Sequence, residues 1–253
     1  MSNFIAPEWP APKSVRTLVT MRQGGVSGEP WASFNLGEHV GDDPAAVAEN
    51  RRRLREHLPG EPKWLKQVHG TKCVDAALVS EPTEADASFT RHPGVVCAVL
   101  TADCLPVFFC DEAASVVAVA HAGWRGLAAG VLESTVRAMQ VDAENLLAWL
   151  GPAIGPSKFE VGDEVRTAFV AQDAQASQAF VSTTNGKWLA DIYGLASMRL
   201  AASGIRRVGA PRSGHPAVQR HSTNWCTVTQ EEKFFSYRRD GVTGRMASCI
   251  WLE

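Results

Sequence analysis

Three side chains of types that bind metals lie next to the most apolar segments of this chain. Cys104 follows the apolar residues 95–100, His121 follows residues 116–120, and His69 closes a third apolar run upstream. Two imidazoles and a thiolate suit zinc, and three protein ligands with an open fourth position are typical of a catalytic zinc site. A water bound there has its pKa lowered toward ~7, which makes it a nucleophile at neutral pH.

Two other interpretations of the same residues stay open, because ligands separated by 35 and 17 positions match no local metal motif. Cys104 could act as the nucleophile of a hydrolase with His121 as its base, since that pair also needs only spatial proximity. Alternatively, Cys104 is a small buried residue and the histidines form ordinary hydrogen bonds.

The surrounding apolar runs predict the elements that position these side chains. Residues 95–100, 105–110 and 116–120 predict three buried strands, which would place Cys104 and His121 at strand ends. After His121, two glycines flank Arg125, and the apolar residues that follow have helical spacing. Such a helix start can hold an anion beside Arg125, although a local cap or salt bridge for Arg125 is an equal alternative.

Capping residues, turn residues and apolar periodicity predict further helices, strands and turns. Asp43 as N-cap and Pro44 at the first position predict a helix that ends near residue 58, with its arginines on a solvated face. Strands are predicted at residues 15–21, 146–150 and 246–252, and helices at 163–171 and 189–203. A strand and a turn are predicted at 234–241. Three segments are predicted to be without regular structure: a hairpin turn at 22–28, a mobile surface segment at 172–186 and an irregular stretch at 209–224.

Composition limits the class of protein. With 253 residues and 45% hydrophobic residues, the chain is long enough for one compact domain spanning residues 1–253. A net charge of -2 argues against a dedicated nucleic-acid or anionic-membrane binder. We expect no membrane span and no signal peptide. Six cysteines without a CxxC pair favour reduced thiols and a cytoplasmic location.

Six motifs follow one another in order along the chain. They are KQVHG (66–70), TADCLPV (101–107), HAGWRGL (121–127), GPAIGP (151–156), FEVG (159–162) and FFSYRRDG (234–241). Together they closely resemble the YfiH-like family, also called the multicopper polyphenol oxidase or laccase-domain family. The resemblance begins near residue 20 and runs to the C-terminus.

This resemblance implies a fold, a cofactor and several activities. It implies a single α/β domain with mixed β-sheets layered between helices, similar to bacterial cysteine-hydrolase toxins, and zinc held by His69, Cys104 and His121. Family members are described as purine nucleoside enzymes that phosphorolyse adenosine, inosine, guanosine and methylthioadenosine and deaminate adenosine. Others are described as peptidoglycan editing factors or as copper-dependent phenol oxidases. Zinc has no redox chemistry, so oxidation would require copper, and three ligands do not supply a multicopper cluster.

The motifs also suggest roles for residues near the metal ligands. Asp103, next to Cys104, is a candidate orienter or proton carrier, and Cys226 is expected to line the pocket. Guanidinium groups grip phosphate oxygens bidentately, and the arginines expected to bind phosphate or another substrate anion are Arg22, Arg125 and Arg238. We therefore expect Asp103, Arg125 and Cys226 to take part in catalysis, with a purine nucleoside and phosphate as substrates.

Two departures and one alternative complete the prediction. Ser157 stands where many relatives carry cysteine, so a thiol function there is absent. Residues 211–224 are longer than is usual for the family, and we interpret His215 and His221 as surface histidines rather than ligands. A non-catalytic metal-binding protein that acts through a partner also fits the residues, and the sequence does not determine the oligomeric state.

Overall fold

The computed structural model describes residues 4–209 and 225–253. The strands are, in chain order, β1 (Phe4–Ile5), β2 (Val15–Thr20), β3 (Pro62–Lys63), β4 (Leu65–Lys66), β5 (Cys73–Asp75), β6 (Thr83–Glu84), β7 (Ala87–Thr90), β8 (Val96–Thr101), β9 (Leu105–Asp111), β10 (Val117–Ala122), β11 (Leu146–Leu150), β12 (Glu160–Val161), β13 (Phe180–Ser182), β14 (Trp188–Ala190), β15 (Arg207–Gly209) and β16 (Met246–Leu252). The helices are α1 (Pro44–Arg55), α2 (Trp124–Ala129), α3 (Val131–Met139), α4 (Asp163–Val170), α5 (Ile192–Ala202) and α6 (Tyr237–Asp240).

Two large mixed sheets form the centre of the fold. The five-stranded sheet has the order β1-β2-β16-β8-β3 and the six-stranded sheet has the order β15-β11-β9-β10-β7-β5. Most neighbours are antiparallel, but β3 pairs with β8, β15 with β11 and β5 with β7 in parallel. The remaining strands form two small sheets, β12-β14-β13 and β4-β6.

Alternation of side chains along the central strands produces four layers. In β9, Leu105, Val107 and Phe109 pack with the apolar residues of α2 to α5, while Phe108 and Cys110 pack with residues of the five-stranded sheet. The outer face of that sheet is covered by α1 and the loop before it. Successive strand residues point to opposite faces, so continuous apolar strands are buried on both sides. The predicted mixed α/β class, with sheets between helices, is confirmed.

One metal-ligand candidate, Cys104, lies where the chain crosses between the two large sheets. Strands β8 and β9 are consecutive in sequence, yet β8 belongs to the five-stranded sheet and β9 to the six-stranded sheet. Cys104 lies in the three-residue crossover between them. His121 was expected just after its strand and is instead the penultimate residue of β10.

Two predicted helices differ in their boundaries. The helix expected after His121 is two helices, because Gly130 adopts a left-handed conformation with φ of 101° between α2 and α3. The helix expected from Leu189 begins at Ile192, since Leu189 belongs to β14 and the Asp191 carboxylate accepts bonds from the first backbone N–H groups of the helix.

Two predicted segments were wrong, and a third was right only in part. Residues 22–28 do not form a hairpin turn, because β2 pairs with β1 and β16. Residues 172–186 lie mostly at the surface, as predicted, but they contain a 3₁₀ helix, Ala174–Ala179, and strand β13, with Phe180 buried. Residues 237–240 form α6, which Ser236 caps, rather than a strand. In each case tertiary packing overrides a local polar or alternating pattern.

The other elements follow the prediction. Asp43 caps α1 through a bond from the Ala45 N–H at 2.9 Å, and Arg52 pairs with Glu49 and Glu56 on its solvated face. Helix α4 and strands β2, β11 and β16 match the predicted spans to within one residue. Across residues 4–209 and 225–253, no helix is long and apolar enough to cross a membrane. His215 and His221 lie outside the described residues.

Gly25 provides a test of how tightly the loop after β2 packs. A Cβ added there would lie 2.1 Å from the Ser33 carbonyl oxygen and 2.5 Å from both Asn50 Oδ1 and Phe34 Cα, whereas one added at Gly28 meets nothing within 4 Å. We expect Gly25→Ala to lower the free energy of unfolding by about 2 kcal/mol through overpacking, and Gly28→Ala to change it by less than ~1 kcal/mol. Urea denaturation measures both, and equal effects would contradict the packing argument.

Candidate metal centre

The Asp86 carboxylate organises the candidate centre. It is fully buried just before β7. Its Oδ1 accepts the His69 N–H at 2.9 Å, and its Oδ2 accepts the N–H groups of Val68 at 3.2 Å and Gly70 at 2.7 Å. These three donors close the loop after β4 around one anion, and His69 itself has a positive φ of 59°. The carboxylate therefore stabilises a backbone conformation that non-glycine residues seldom adopt.

The same carboxylate orients His121. Asp86 Oδ1 lies 2.8 Å from His121 Nδ1, and the Asp86 carbonyl accepts the His121 N–H at 2.7 Å. Donation from Nδ1 to a carboxylate leaves Nε2 as the free ligand nitrogen, which is the usual arrangement around metal-binding histidines. Burial opposes a charged carboxylate, but the hydrogen bonds from His121 and the loop amides lower the pKa of Asp86.

The predicted ligands meet at one point. The ligand atoms of His69, Cys104 and His121 all lie within 4.8 Å of one another. Cys104 Sγ is 3.8 Å from His69 Nε2, and the two imidazole rings are in edge contact with centroids 4.8 Å apart. His121 is buried while His69 is exposed, so the group has one open side.

The negatively charged form of Cys104 and the positively charged form of His121 stabilise each other. Burial raises the pKa of the Cys104 thiol, but attraction and hydrogen bonding from His121 and His69 outweigh it and lower that pKa to about 6. Burial lowers the pKa of His121, but the Cys104 charge and the Asp86 hydrogen bond raise it to about 9. By contrast, burial raises the pKa of Cys73, Cys110 and Cys249 to about 12. Cys104 thus differs from these thiols in having thiolate character at neutral pH.

Two glycines of the HAGWRG segment allow the ligands to converge. A Cβ on Gly123 would lie 2.7 Å from the His69 ring and 3.0 Å from Cys104 Sγ, and one on Gly126 would lie 2.8 Å from the Gly70 carbonyl. Helix α2 therefore begins in direct contact with the ligand loop. The glycine spacing reflects close packing around the centre.

A cavity of about 260 Å³ opens beside the ligands. His69 and Cys104 line it together with four apolar side chains, Trp124, Ile154, Phe159 and Ile192, and with Tyr237. Two larger surface grooves, of about 540 and 490 Å³, contain none of the predicted site residues. The chemistry of the lining, rather than size, therefore identifies the site.

Two of the three predicted arginines reach this cavity. The Arg125 guanidinium lies over the Trp124 ring at 4.4 Å and the Arg238 guanidinium lies 5.6 Å from the centre of the Phe159 ring. Arg22 does not line the cavity, because its guanidinium donates to the carbonyls of Ala32 and Glu231. Arg125 and Arg238 are thus exposed at the cavity, whereas Arg22 stabilises a loop elsewhere.

Of the other two predicted catalytic residues, Asp103 lines the cavity and Cys226 does not. The Asp103 carboxylate accepts the Thr227 hydroxyl at 2.5 Å and the Arg238 N–H at 2.6 Å. Cys226 packs against Gly155, whose N–H points to Cys226 Sγ at 3.2 Å, and it does not line the cavity.

Sequence reasoning missed Asp86, the residue that holds the two histidines. One signal was available: Ala85, Asp86, Ala87 and Ser88 place a carboxylate among small residues at the start of a buried strand. A buried charge in such a position needs several donors. The sequence does not show that they come from residues 68–70.

The ligand set fits zinc. For a tetrahedral site with metal–sulfur and metal–nitrogen bonds of ~2.3 and ~2.1 Å, the two ligand atoms would be about 3.6 Å apart, close to the 3.8 Å between Cys104 Sγ and His69 Nε2. Asp86 supplies the outer partner that a ligating histidine requires. The fold and these three ligands define a candidate metal enzyme with an open coordination position.

Comparisons with known proteins establish the family. A family model described as multi-copper polyphenol oxidoreductase laccase matches residues 16–253. A Pseudomonas aeruginosa protein named purine nucleoside phosphorylase is 53% identical over 254 residues, and the match covers 100% of both chains. An Escherichia coli K12 protein named purine nucleoside phosphorylase YfiH is 54% identical over 258 residues, again with 100% of both covered. A Neisseria meningitidis crystal structure has a TM-score of 0.92 and 47% identity over 100% of both chains.

The chain therefore belongs to the laccase-domain, or YfiH-like, family of metal-associated enzymes. The predicted resemblance is confirmed.

Asp86→Asn should weaken metal binding. The amide would place an N–H₂ group against the N–H donors that the carboxylate now accepts, so we expect zinc affinity to fall about 10- to 100-fold. The control is Asp111→Asn, which disturbs another buried carboxylate that accepts local turn donors. Competition with a chromophoric chelator measures the affinities. Equal zinc affinity in wild type and Asp86→Asn would contradict this role.

Metal should protect Cys104 from alkylation. In chelator-treated protein, we expect iodoacetamide to modify Cys104 first, with a rate that rises through about pH 6 as the thiolate forms and is near its plateau at neutral pH. Added zinc should suppress the reaction, while buried Cys110 and Cys249 stay unmodified under both conditions. Peptide mass spectrometry identifies the modified residue. A rate that rises only near pH 9, or no protection by zinc, would refute the assignment.

Proposed function

We propose that this protein is a zinc-dependent purine nucleoside phosphorylase that acts on adenosine, inosine, guanosine and methylthioadenosine and also deaminates adenosine. The observation that carries the proposal is the opening of the His69, Cys104 and His121 group into an apolar cavity that carries two arginines. The names of the relatives from Pseudomonas aeruginosa and Escherichia coli support the choice of substrate.

The cavity suits a nucleoside and phosphate together. Trp124, Ile154 and Phe159 offer apolar surface to a planar base, and Arg125 and Arg238 offer paired donors to an anion. Each guanidinium lies against an aromatic ring, which restricts its orientation. A volume of about 260 Å³ lies just below the usual range for small-molecule sites, which supports a nucleoside over a larger nucleotide-linked muropeptide.

The chain's residues would position reactants and stabilise charge. In phosphorolysis, an oxygen of phosphate forms a bond to ribose C1′ while the bond from C1′ to the purine nitrogen breaks, and the purine takes up the proton that phosphate gives up. Arg125 and Arg238 would hold the phosphate for this attack and balance its charge. When bound, zinc would supply a Lewis acid next to the substrate.

Other activities receive less support from the site. In the described part of the chain, His69, Cys104 and His121 are the one group of three or more ligand side chains, which does not supply the several sites of a multicopper oxidase. Thus zinc is proposed over copper. A metal-binding protein without activity would not need two arginines against aromatic rings beside the ligands.

The first experiment measures metal and products in the same preparations. We expect about one zinc per chain in wild type. Adenosine should give adenine and ribose 1-phosphate only when phosphate is present, and inosine when it is absent. Cys104→Ala should lose the zinc and at least about 100-fold in both rates, since it removes a ligand. Cys73→Ala, which removes a thiol outside the centre, is the matched control.

Two outcomes would refute this function. Zinc without turnover of any of the four nucleosides would exclude the substrate class. Turnover that survives in zinc-free Cys104→Ala would exclude the metal's role.

Arg125→Ala should affect phosphate more than the nucleoside. Loss of a charge-assisted bond should raise KM for phosphate about 10- to 100-fold, with zinc content unchanged. Arg52→Ala, on the solvated face of α1, is the control for loss of one arginine. Steady-state kinetics with each substrate varied separates the two KM values, and an unchanged KM for phosphate would remove Arg125 from the anion site.

A further inference from the structure

We propose that Asp103 is a positioning residue that fixes the anion-binding Arg238 relative to the metal ligand Cys104, rather than a proton carrier. The inference rests on the proposed function in one respect, because the anion is taken to be phosphate. The Asp103 carboxylate, which lies in the cavity wall beside Cys104, would then act on the substrate only through Arg238.

Both oxygens of this carboxylate are bound within the protein. Oδ1 accepts the Thr227 hydroxyl at 2.5 Å and Oδ2 accepts the Arg238 N–H at 2.6 Å. Asp103 is 9% exposed, and its carbonyl accepts the Ile154 N–H at 2.9 Å. A carboxylate engaged by two short bonds is poorly placed to exchange a proton with a substrate.

The bond to Arg238 holds the beginning of α6. The N–H groups of a helix's first turn have no intrahelical partner. In α6, Asp103 accepts one of them from Arg238, and the Ser236 hydroxyl accepts another from Arg239. The backbone of Arg238 is therefore anchored to the crossover between the two large sheets.

The Arg238 side chain extends this anchor to the cavity. Its Nη1 donates to the Glu160 carbonyl at 2.8 Å, and its guanidinium lies against Phe159. Among the described residues its Nε and Nη2 donate to no protein acceptor, so both remain available to a ligand. A guanidinium held in a fixed orientation can bind an anion through two hydrogen bonds.

The backbone conformation of Asp103 limits which residues can replace it. Its φ is 87°, a conformation that aspartate and asparagine tolerate better than most residues. The next residue is Cys104. A shift of the carboxylate would therefore change the spacing between the metal ligand and the anion-binding arginine.

The choice of replacement distinguishes positioning from proton transfer. Asparagine can keep its oxygen on the Arg238 N–H and turn its amide N–H₂ toward the Thr227 oxygen, but it cannot carry a proton. Glycine accepts the positive φ and removes both bonds. Alanine would be strained at this φ, so if Asp103→Gly does not fold, Asp103→Asn still separates the two roles, because it keeps both bonds without a transferable proton.

The test compares zinc-loaded wild type, Asp103→Gly and Asp103→Asn. We expect Asp103→Gly to raise KM for phosphate about tenfold, with zinc content and KM for nucleoside within about twofold of wild type. Asp103→Asn should restore most of the lost phosphate affinity. Thr227→Val, which spares the bond to Arg238, should change KM for phosphate by less than about threefold. Calorimetric titration with inorganic phosphate provides the same comparison without turnover.

A double-mutant cycle tests whether Asp103 acts through Arg238. Asp103→Gly combined with Arg238→Ala should be no weaker in phosphate binding than Arg238→Ala alone. Additive losses, or an unchanged KM for phosphate in Asp103→Gly, would overturn the proposal. So would Asp103→Asn if it lost about 100-fold in kcat while phosphate binding was kept, because that result marks a proton carrier. If wild type binds phosphate but does not cleave nucleosides, the proposed function fails while this inference is still tested.

Discussion

The candidate centre depends on one buried anion, the Asp86 carboxylate. It binds the backbone of the loop that carries His69 and the ring of His121, so one group sets the position of two ligands. Burial of a carboxylate is costly unless several donors satisfy it. Here four donors do so, and three of them are backbone N–H groups of the loop that carries His69. The conformation of this loop and the geometry of the candidate centre are thus linked.

The two large sheets supply the other half of the constraint. Cys104 lies where the chain leaves one sheet and enters the other, and His121 lies on strand β10, all of whose residues are buried. Strand β10 is hydrogen-bonded to β7 and β9, and the crossover that carries Cys104 is tethered at its two ends by β8 and β9, so the thiol and the imidazole have little freedom to separate. Gly123 then lets α2 begin against them. A rigid scaffold of this kind favours a preorganised centre, which catalysis requires.

The cavity beside the centre divides its surface between apolar and cationic groups. Its walls come from α2, α5 and the loop before β12, and its two arginines lie against aromatic rings on different elements. Arg22 has the same side chain yet serves the loop before α1. The difference lies in available acceptors: carbonyls near Arg22 engage its donors, whereas Arg125 and Arg238 keep donors that face solvent and ligand.

The sequence by itself determined the layered α/β class, the helix that Asp43 caps, the central strands and the ligand types, because apolar periodicity and capping act over short distances. Its motifs identified the family and, through it, His69, Cys104 and His121. Only the tertiary structure decided that Asp86 holds the histidines, that Gly130 splits one predicted helix, and that Arg22 lies apart from Arg125 and Arg238. These features depend on contacts between residues far apart in the chain. A hydrogen bond that joins residue 86 to residue 121, or residue 103 to residue 238, leaves no periodic trace in the sequence.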